Sequence, residues 1–273
     1  MINVVDRVPT YPNRIKVTKS DGTSEYVTWE RADEPAVVGT PINKALFDSI
    51  VADIGLNANT TVYVSTAGSD SLGDGTAANP YATIMKAVDS LPKNLNSYTA
   101  TISIATGTYN ENINISTSYG GIIILSGADG AAVQINSLQV AHGSNVQVTN
   151  INLTVNGMSG WNSIVVTNAV LMCFSKVTTI SAASNGVYVN QNGYALLTDL
   201  SVSNTSHACV YAANASRVFV VNINASNNTG NGLLAVYGAM ISYNTATIDA
   251  HVGYSTQAGG RIYSGAQASI PNY

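Results

Sequence analysis

From about residue 133 onward, residues spaced 23 apart along the chain share the same chemical character. Ile164, Val187, Val210 and Leu233 make one apolar column at this shift, and Met172, Ala195, Val218 and Ile241 a second. A third holds Phe174, Leu197, Val220 and Tyr243, and a fourth Val177, Leu200, Ile223 and Ala246. One repeat earlier the shift is 26, which brings Leu138, Val146, Val148 and Ile151 onto the same columns. Three extra residues near Gly157-Met158-Ser159-Gly160-Trp161 account for the difference and are expected to bulge from a turn. A fixed period of this length marks a solenoid, whose units bury their apolar faces only by stacking on one another.

Within each repeat the apolar positions alternate, as they do along a strand with one buried face. Equivalent strands of successive repeats then stack roughly 4.8 Å apart, and each inward side chain rests on its equivalent below. This predicts an all-β fold, a right-handed parallel β-helix with about 23 residues per coil. Polar columns fall between the apolar ones: Asn168, Gln191 and Asn214 align, as do Asn150, Lys176, Asp199 and Asn222. Stacked Asn and Gln side chains can bond from coil to coil. A β-sandwich would need the spacing to coincide in all four columns, and propeller repeats are about twice as long. Segments 101–104, 112–115 and 121–125 read as the first, less regular strands, and 259–263 as a last weak one.

Charge is concentrated at the front. After Glu111 the only charged residues are Asp129, Lys176, Asp199, Arg217, Asp249 and Arg261. Such a shift in composition suggests a boundary. Residues 14–18 and 25–29 alternate on either side of Asp21-Gly22, the pattern of an antiparallel hairpin. Thr40 and Pro41 suit the start of a short helix over 42–51, with Ile42, Leu46, Ile50 and Ile54 on one face. Residues 61–65 form a strand, 68–76 a Gly-rich loop, and 79–92 a helix ended by Pro92. A terminal coil has no neighbour on one side, and this helix is placed to cover it. The organisation is therefore a module over 1–58, a lead-in strand, loop and capping helix over 59–100, and the β-helix over 101–273.

Only 10% of residues are charged and the net charge is −4, so no basic surface recruits nucleic acid. The start, Met1 to Asp6, is not read as a signal peptide, and no apolar run is long enough for a membrane-spanning helix. Cys173 and Cys209 fall in different columns and are expected as buried free thiols. Glycoside hydrolysis normally needs two carboxylates about 5–9.5 Å apart. Asp129, Asp199 and Asp249 form no such pair on the repeat, so no catalytic residue is assigned. Asp70 and Asp74 could ligate calcium, but their spacing lacks the full loop pattern and they are read as bonding their own turn. His142, His207 and His251 match no zinc spacing. No metal or other cofactor is expected. What remains is an excess of tyrosine, 15 against 3 phenylalanines. Tyrosine suits sugars and protein interfaces, which makes Tyr194, Tyr211, Tyr237, Tyr254 and Trp161 the candidate glycan- or partner-binding residues. Uncharged coils would leave a large apolar and neutral surface in water, so copies of the chain are expected to associate as a trimer.

The run Val62-Tyr63-Val64-Ser65, Gly68-Ser69-Asp70, Gly73-Asp74-Gly75-Thr76 and Asn79-Pro80-Tyr81-Ala82-Thr83-Ile84, with Lys86-Ala87-Val88, resembles the lead-in to pectate-lyase-like β-helices of bacteriophage tailspikes and tail fibres. The front segment, with Val27-Thr28-Trp29-Glu30 and Gly39-Thr40-Pro41-Ile42-Asn43, is similar to the N-terminal part of phage tail or baseplate proteins. The resemblance implies a homotrimeric virion protein, joined to other tail or baseplate proteins through its N-terminus. Its β-helix would face a host-surface polysaccharide. Tailspikes of this kind that cut polysaccharide carry acidic residues on the β-helix or between subunits, and this chain departs from that pattern.

Overall fold

A computed structural model describes residues 14–18, 24–28, 55–116, 120–156, 162–180 and 184–264. The chain divides into two compact units, Met1–Ile54 and Gly55–Tyr273. In the first unit β1 (Arg14–Thr18) and β2 (Ser24–Thr28) pair antiparallel, with Arg14 opposite Thr28. This is the expected hairpin, with its second strand beginning one residue earlier than the alternation indicated. The helix expected over 42–51 lies outside the described residues.

The second unit is a parallel β-solenoid of about six turns. Its elements run β3 (Thr60–Val64), α1 (Ile84–Asp89), β4 (Thr99–Ile104), β5 (Gly107–Thr108), β6 (Asn112–Ile115), β7 (Ile122–Ile135), β8 (Ser137–Ala141), β9 (Asn145–Val155) and β10 (Ile164–Thr167). Then follow β11 (Val170–Ile180), β12 (Asn185–Asn190), β13 (Tyr194–Ser203), β14 (Ala208–Ala212), β15 (Arg217–Val236), β16 (Met240–Gln257) and β17 (Arg261–Ser264). The long strands bend at register breaks and so serve two or three faces of the coil in turn.

Three faces result, each with its own inward stack. On the first, Ala100, Ile123, Val146, Leu171, Ala195, Val218, Ile241 and Ile262 lie in register. On the second, Val133, Leu153, Val177, Leu200, Ile223 and Ala246 do so. On the third, Ile113, Leu138, Ile164, Val187, Val210 and Leu233 continue the pattern. Nearly all these side chains are buried, and together with α1 they make one continuous core. Each aliphatic side chain so enclosed contributes about 1.5–3 kcal/mol by leaving water.

The period is borne out, with one correction at β11. Leu171 and Cys173, rather than Met172 and Phe174, stand in register with Ala195 and Leu197. One extra residue between Cys173 and Lys176 makes a bulge, so the step is 24 before it and 23 after it. A bulge re-aims the residues on either side of it. Leu171 and Cys173 are fully buried, while Met172 is partly exposed. A separate break, with the extra residue in β9, changes the step from 25 at Val148–Cys173 to 24 and puts Leu153, not Ile151, beneath Val177.

The corner between the third and first faces is a column of tight turns. Gln191 and Asn192 take left-handed φ values of 50° and 60°, Asn214 and Ala215 51° and 59°, and Tyr237 and Gly238 52° and 73°. Two consecutive residues with positive φ fit a type I′ turn. Asn168 (48°) occupies this corner too, so the polar column Asn168–Gln191–Asn214 is a column of turns. The side-chain bond there runs from Asn214 Nδ2 to Asn190 Oδ1 (2.7 Å), not to Gln191. In the other polar column Lys176, Asp199 and Asn222 are in register, but Asn150, at φ 56°, falls in the register break.

The capping helix is shorter than the sequence implies. Tyr81 bridges to Val64, and Tyr63 and Ser65 exchange backbone bonds with it at 3.0 and 2.9 Å, so the chain stays extended until Thr83. Thr83 then caps α1, accepting the Lys86 N–H at 3.2 Å. Ile84, Ala87 and Val88 are buried on the core, and α1 packs against β3, β4 and β6. Among the described residues no helix is long and apolar enough to cross a membrane.

Candidate functional site

The outward positions determine what the solenoid can touch. On the third face, Val165, Tyr188, Tyr211 and Leu234 form one outward column. The Tyr188 and Tyr211 rings stack with centroids 4.9 Å apart and planes at 25°. The His207 imidazole meets Tyr211 edge-on at 5.1 Å. His207 Nδ1 lies 2.9 Å from Asn185 Oδ1, within hydrogen-bonding distance. Asn185 Nδ2 in turn donates to Asn162 Oδ1 at 2.7 Å. Beneath the tyrosines, Ala208, Ala213, Leu234 and Val236 make a small apolar cluster outside the main core.

Tyr237 follows on the next coil, in the left-handed turn and 61% exposed. Burial pushes the Tyr211 phenol up, and the Tyr237 phenol adds to the shift. Burial likewise pushes up Tyr188, with Tyr211 as its neighbour. Two of the expected ligand residues, Tyr211 and Tyr237, are thus brought together. Tyr188 completes an aromatic stripe that the sequence reading did not single out. The signal was present: Tyr188 lies one 23-residue step before Tyr211.

The other candidates go elsewhere. Tyr194 stands on the first face, in register with Val170 and Arg217. Tyr254 is in register with the buried Leu233 but is itself 48% exposed. It stacks on Tyr243 at 5.5 Å with planes at 9°, and a hydrogen bond with Tyr243 together with burial pushes its phenol up to about 12. Trp161 lies outside the described residues.

A second surface is a shallow furrow of about 480 Å³ on the second face. Lys176, Asp199, Asn222 and Thr245 wall one side, Ser201, Asn224 and Thr247 the other, and Leu200 and Ile223 lie between. The first wall is bonded coil to coil: Asn222 Nδ2 donates to Asp199 Oδ1 at 2.7 Å, and the Thr245 hydroxyl donates to Asn222 Oδ1. The register neighbours of Asp199 are Lys176 and Asn222, so no second acid adjoins it there. Asp249 accepts the Asn227 N–H at 3.3 Å. The Asp129 side chain lies outside the described residues.

The acids near the lead-in hold the chain together. Asp70 accepts the N–H groups of Ala82 (2.8 Å) and Thr83 (3.0 Å) and the Thr83 hydroxyl (2.7 Å). Partial burial works to raise its carboxyl, but the bonds from Thr83 and Ala82 hold it below the usual range. Asp74 accepts the Thr76 hydroxyl and N–H at 2.7 and 2.9 Å, which lowers it too. Glu111 accepts Ile84 N–H at 2.8 Å and Met85 N–H at 2.9 Å, the first free donors of α1. Among the described residues no three His, Cys, Asp or Glu side chains converge on a metal site.

Cys173 and Cys209 are free and buried. Burial pushes their thiols up to about 12 and about 11 respectively. Because the folded values lie above the unfolded ones, these groups favour folding below about pH 8.5, and that contribution fades as pH rises toward the folded values. Neither thiol is expected to react with iodoacetamide at pH 8 in the native protein, and both are expected to react in denaturant. Mass spectrometry of the alkylated chain reads the difference, and native labelling at Cys173 would contradict its place in the first-face stack.

No family model, curated protein or solved structure matches the chain.

Proposed function

We propose that this protein is a structural and adhesive component of a phage tail, as a fibre, spike or baseplate part. In this reading it attaches through its N-terminal module and acts as a homotrimer. Its solenoid presents a surface to host glycans or to another virion protein. The observation that carries the adhesive reading is the furrow on the second face. Its outward groups are amides, hydroxyls and one ammonium, repeated once per coil beside a single described carboxylate, Asp199. Amide and hydroxyl groups both donate and accept, which suits the hydroxyl pattern of a neutral polysaccharide laid along the axis. The virion setting rests on the resemblance of residues 62–88 and 27–43.

A second reading is a polysaccharide-degrading tailspike, with the chemistry at Asp199 beside Lys176 in the furrow. Incubation with purified host-surface polysaccharide separates the two. The adhesive reading expects retention of the polysaccharide with its chain length unchanged, and at least ten-fold weaker retention by Asn222→Ala/Asn224→Ala. Shortening of the polysaccharide that stops in Asp199→Asn would instead establish the depolymerase. Failure to retain any glycan from a broad array would sink the glycan-binding half of the proposal.

A further inference from the structure

We propose that residues 265–273, which lie outside the described residues, cover the far end of the solenoid by adding one strand to its second face, with Ala268 over Ala246 and Ile270 over Ile248. At the near end α1 covers the core. At the far end β17 pairs only with Met240–Tyr243, and among the described residues no strand lies beyond the rest of β16. Its inward side chains show the consequence. Ile223, Ala225 and Leu233 are almost fully buried. One coil on, their register partners Ala246 and Ile248 are partly exposed and Tyr254 is 48% exposed, with Val252 beside it at 41%. An uncovered apolar end and a row of unpaired backbone groups are both satisfied by one more strand.

The residues that follow β17 have the pattern this strand needs. β17 ends at Ser264, in register with Tyr243, so the chain leaves the first face in the direction of the second. Residues 265–273 carry no charged side chain. Gln267, Ala268, Ser269 and Ile270 alternate polar and apolar, as a strand with one buried face does. Placing Ala268 and Ile270 inward makes the step 22, between the 23 of Ile223–Ala246 and the 21 of Ile241–Ile262. It leaves three residues to turn the corner after Ser264, as three residues do between Cys173 and Val177 at β11. A step of 21 would instead set Gln267 and Ser269 on Ala246 and Ile248, and register follows the apolar face.

The outward residues fit as well. Gln267 and Ser269 come into line with Thr245 and Thr247, so both walls of the furrow gain a coil of the same uncharged chemistry. Pro271 has no N–H to donate, and pairing stops there. A second copy would have to bring a matching edge to this end and give up its free motion to do so. The segment after Ser264 is already tethered beside it.

The test is disulfide formation in the full chain with oxidised glutathione. Ile248→Cys/Ile270→Cys is expected to close within one chain, because stacked inward residues lie about 4.8 Å apart, inside the span of a disulfide. Ile248→Cys/Gln267→Cys, displaced by about 10 Å along the strand, is expected to close at least ten-fold more slowly. Mass spectrometry of the digested protein reads both pairs, with Cys173 and Cys209 buried out of reach. In a second measurement, Ile270→Asp is expected to raise hydrogen exchange at residues 245–248 at least ten-fold and to leave exchange in α1 unchanged. Equal closure of the two pairs, no closure, a link between chains (the sign of a second copy at this end) or unchanged exchange in Ile270→Asp would each overturn the proposal.

Discussion

Val210→Asp is expected to leave the chain without a folded solenoid at 25 °C. Val210 is fully buried in the third-face stack, with Val187 and Leu233 in register on either side. A carboxylate there has no water and no partner, a cost of more than about 5 kcal/mol even after it takes up a proton. The neighbouring coils cannot part to let water reach it, because each coil is stabilised by those beside it. Circular dichroism should lose the β signal and the cooperative thermal transition. Two positions outside the buried stack, Tyr211→Ser and Thr167→Ser, should keep both. A cooperative, native-like spectrum for Val210→Asp would overturn the inward orientation of this column.

The second large effect is expected at the other end of the core. Glu111→Ala removes both acceptors from the Ile84 and Met85 N–H groups. The first N–H groups of a helix have no partner within it, and a carboxylate there also meets the positive end of the helix dipole. Losing two charge-assisted bonds should lower stability by about 2–4 kcal/mol. Glu111→Gln keeps an acceptor and should lie between. Hydrogen exchange at Ile84 and Met85 should accelerate in the same order. Because α1 covers the core, the loss should spread to β4 before it reaches the later coils. An unchanged melting temperature in Glu111→Ala would show that α1 is held by its apolar contacts alone.

Much of this architecture could be read from the residues, since stacking demands like on like. The columns through Val187, Val210 and Leu233, and through Leu200 and Ile223, follow directly from the 23-residue step. At β11 the reading slipped by one because Leu171 and Met172 are both apolar, as are Cys173 and Phe174. A period alone cannot choose between neighbours of equal character, and the bulge before Lys176 leaves no mark in composition. The helix over 79–92 came out as Ile84–Asp89 because Tyr81 gains more by bridging Val64 than by starting a turn. The site was half legible. Tyr211 and Tyr237 share a stripe because they lie near the same corner on successive coils. Tyr254 lies over Leu233 because the step has shortened to 21 there. Residue type suggested a binding role for all of them, but only the register sorts outer faces from the core.

The pairing described above also has a mechanical consequence. In this solenoid the strand-to-strand bonds point along its long axis, and each coil is tied to the next on three faces at once. A pull from end to end therefore stretches many bonds side by side, and none can open ahead of the rest as in an unzipped hairpin. Under tension the body should behave as a stiff strut that gives way in whole-coil steps.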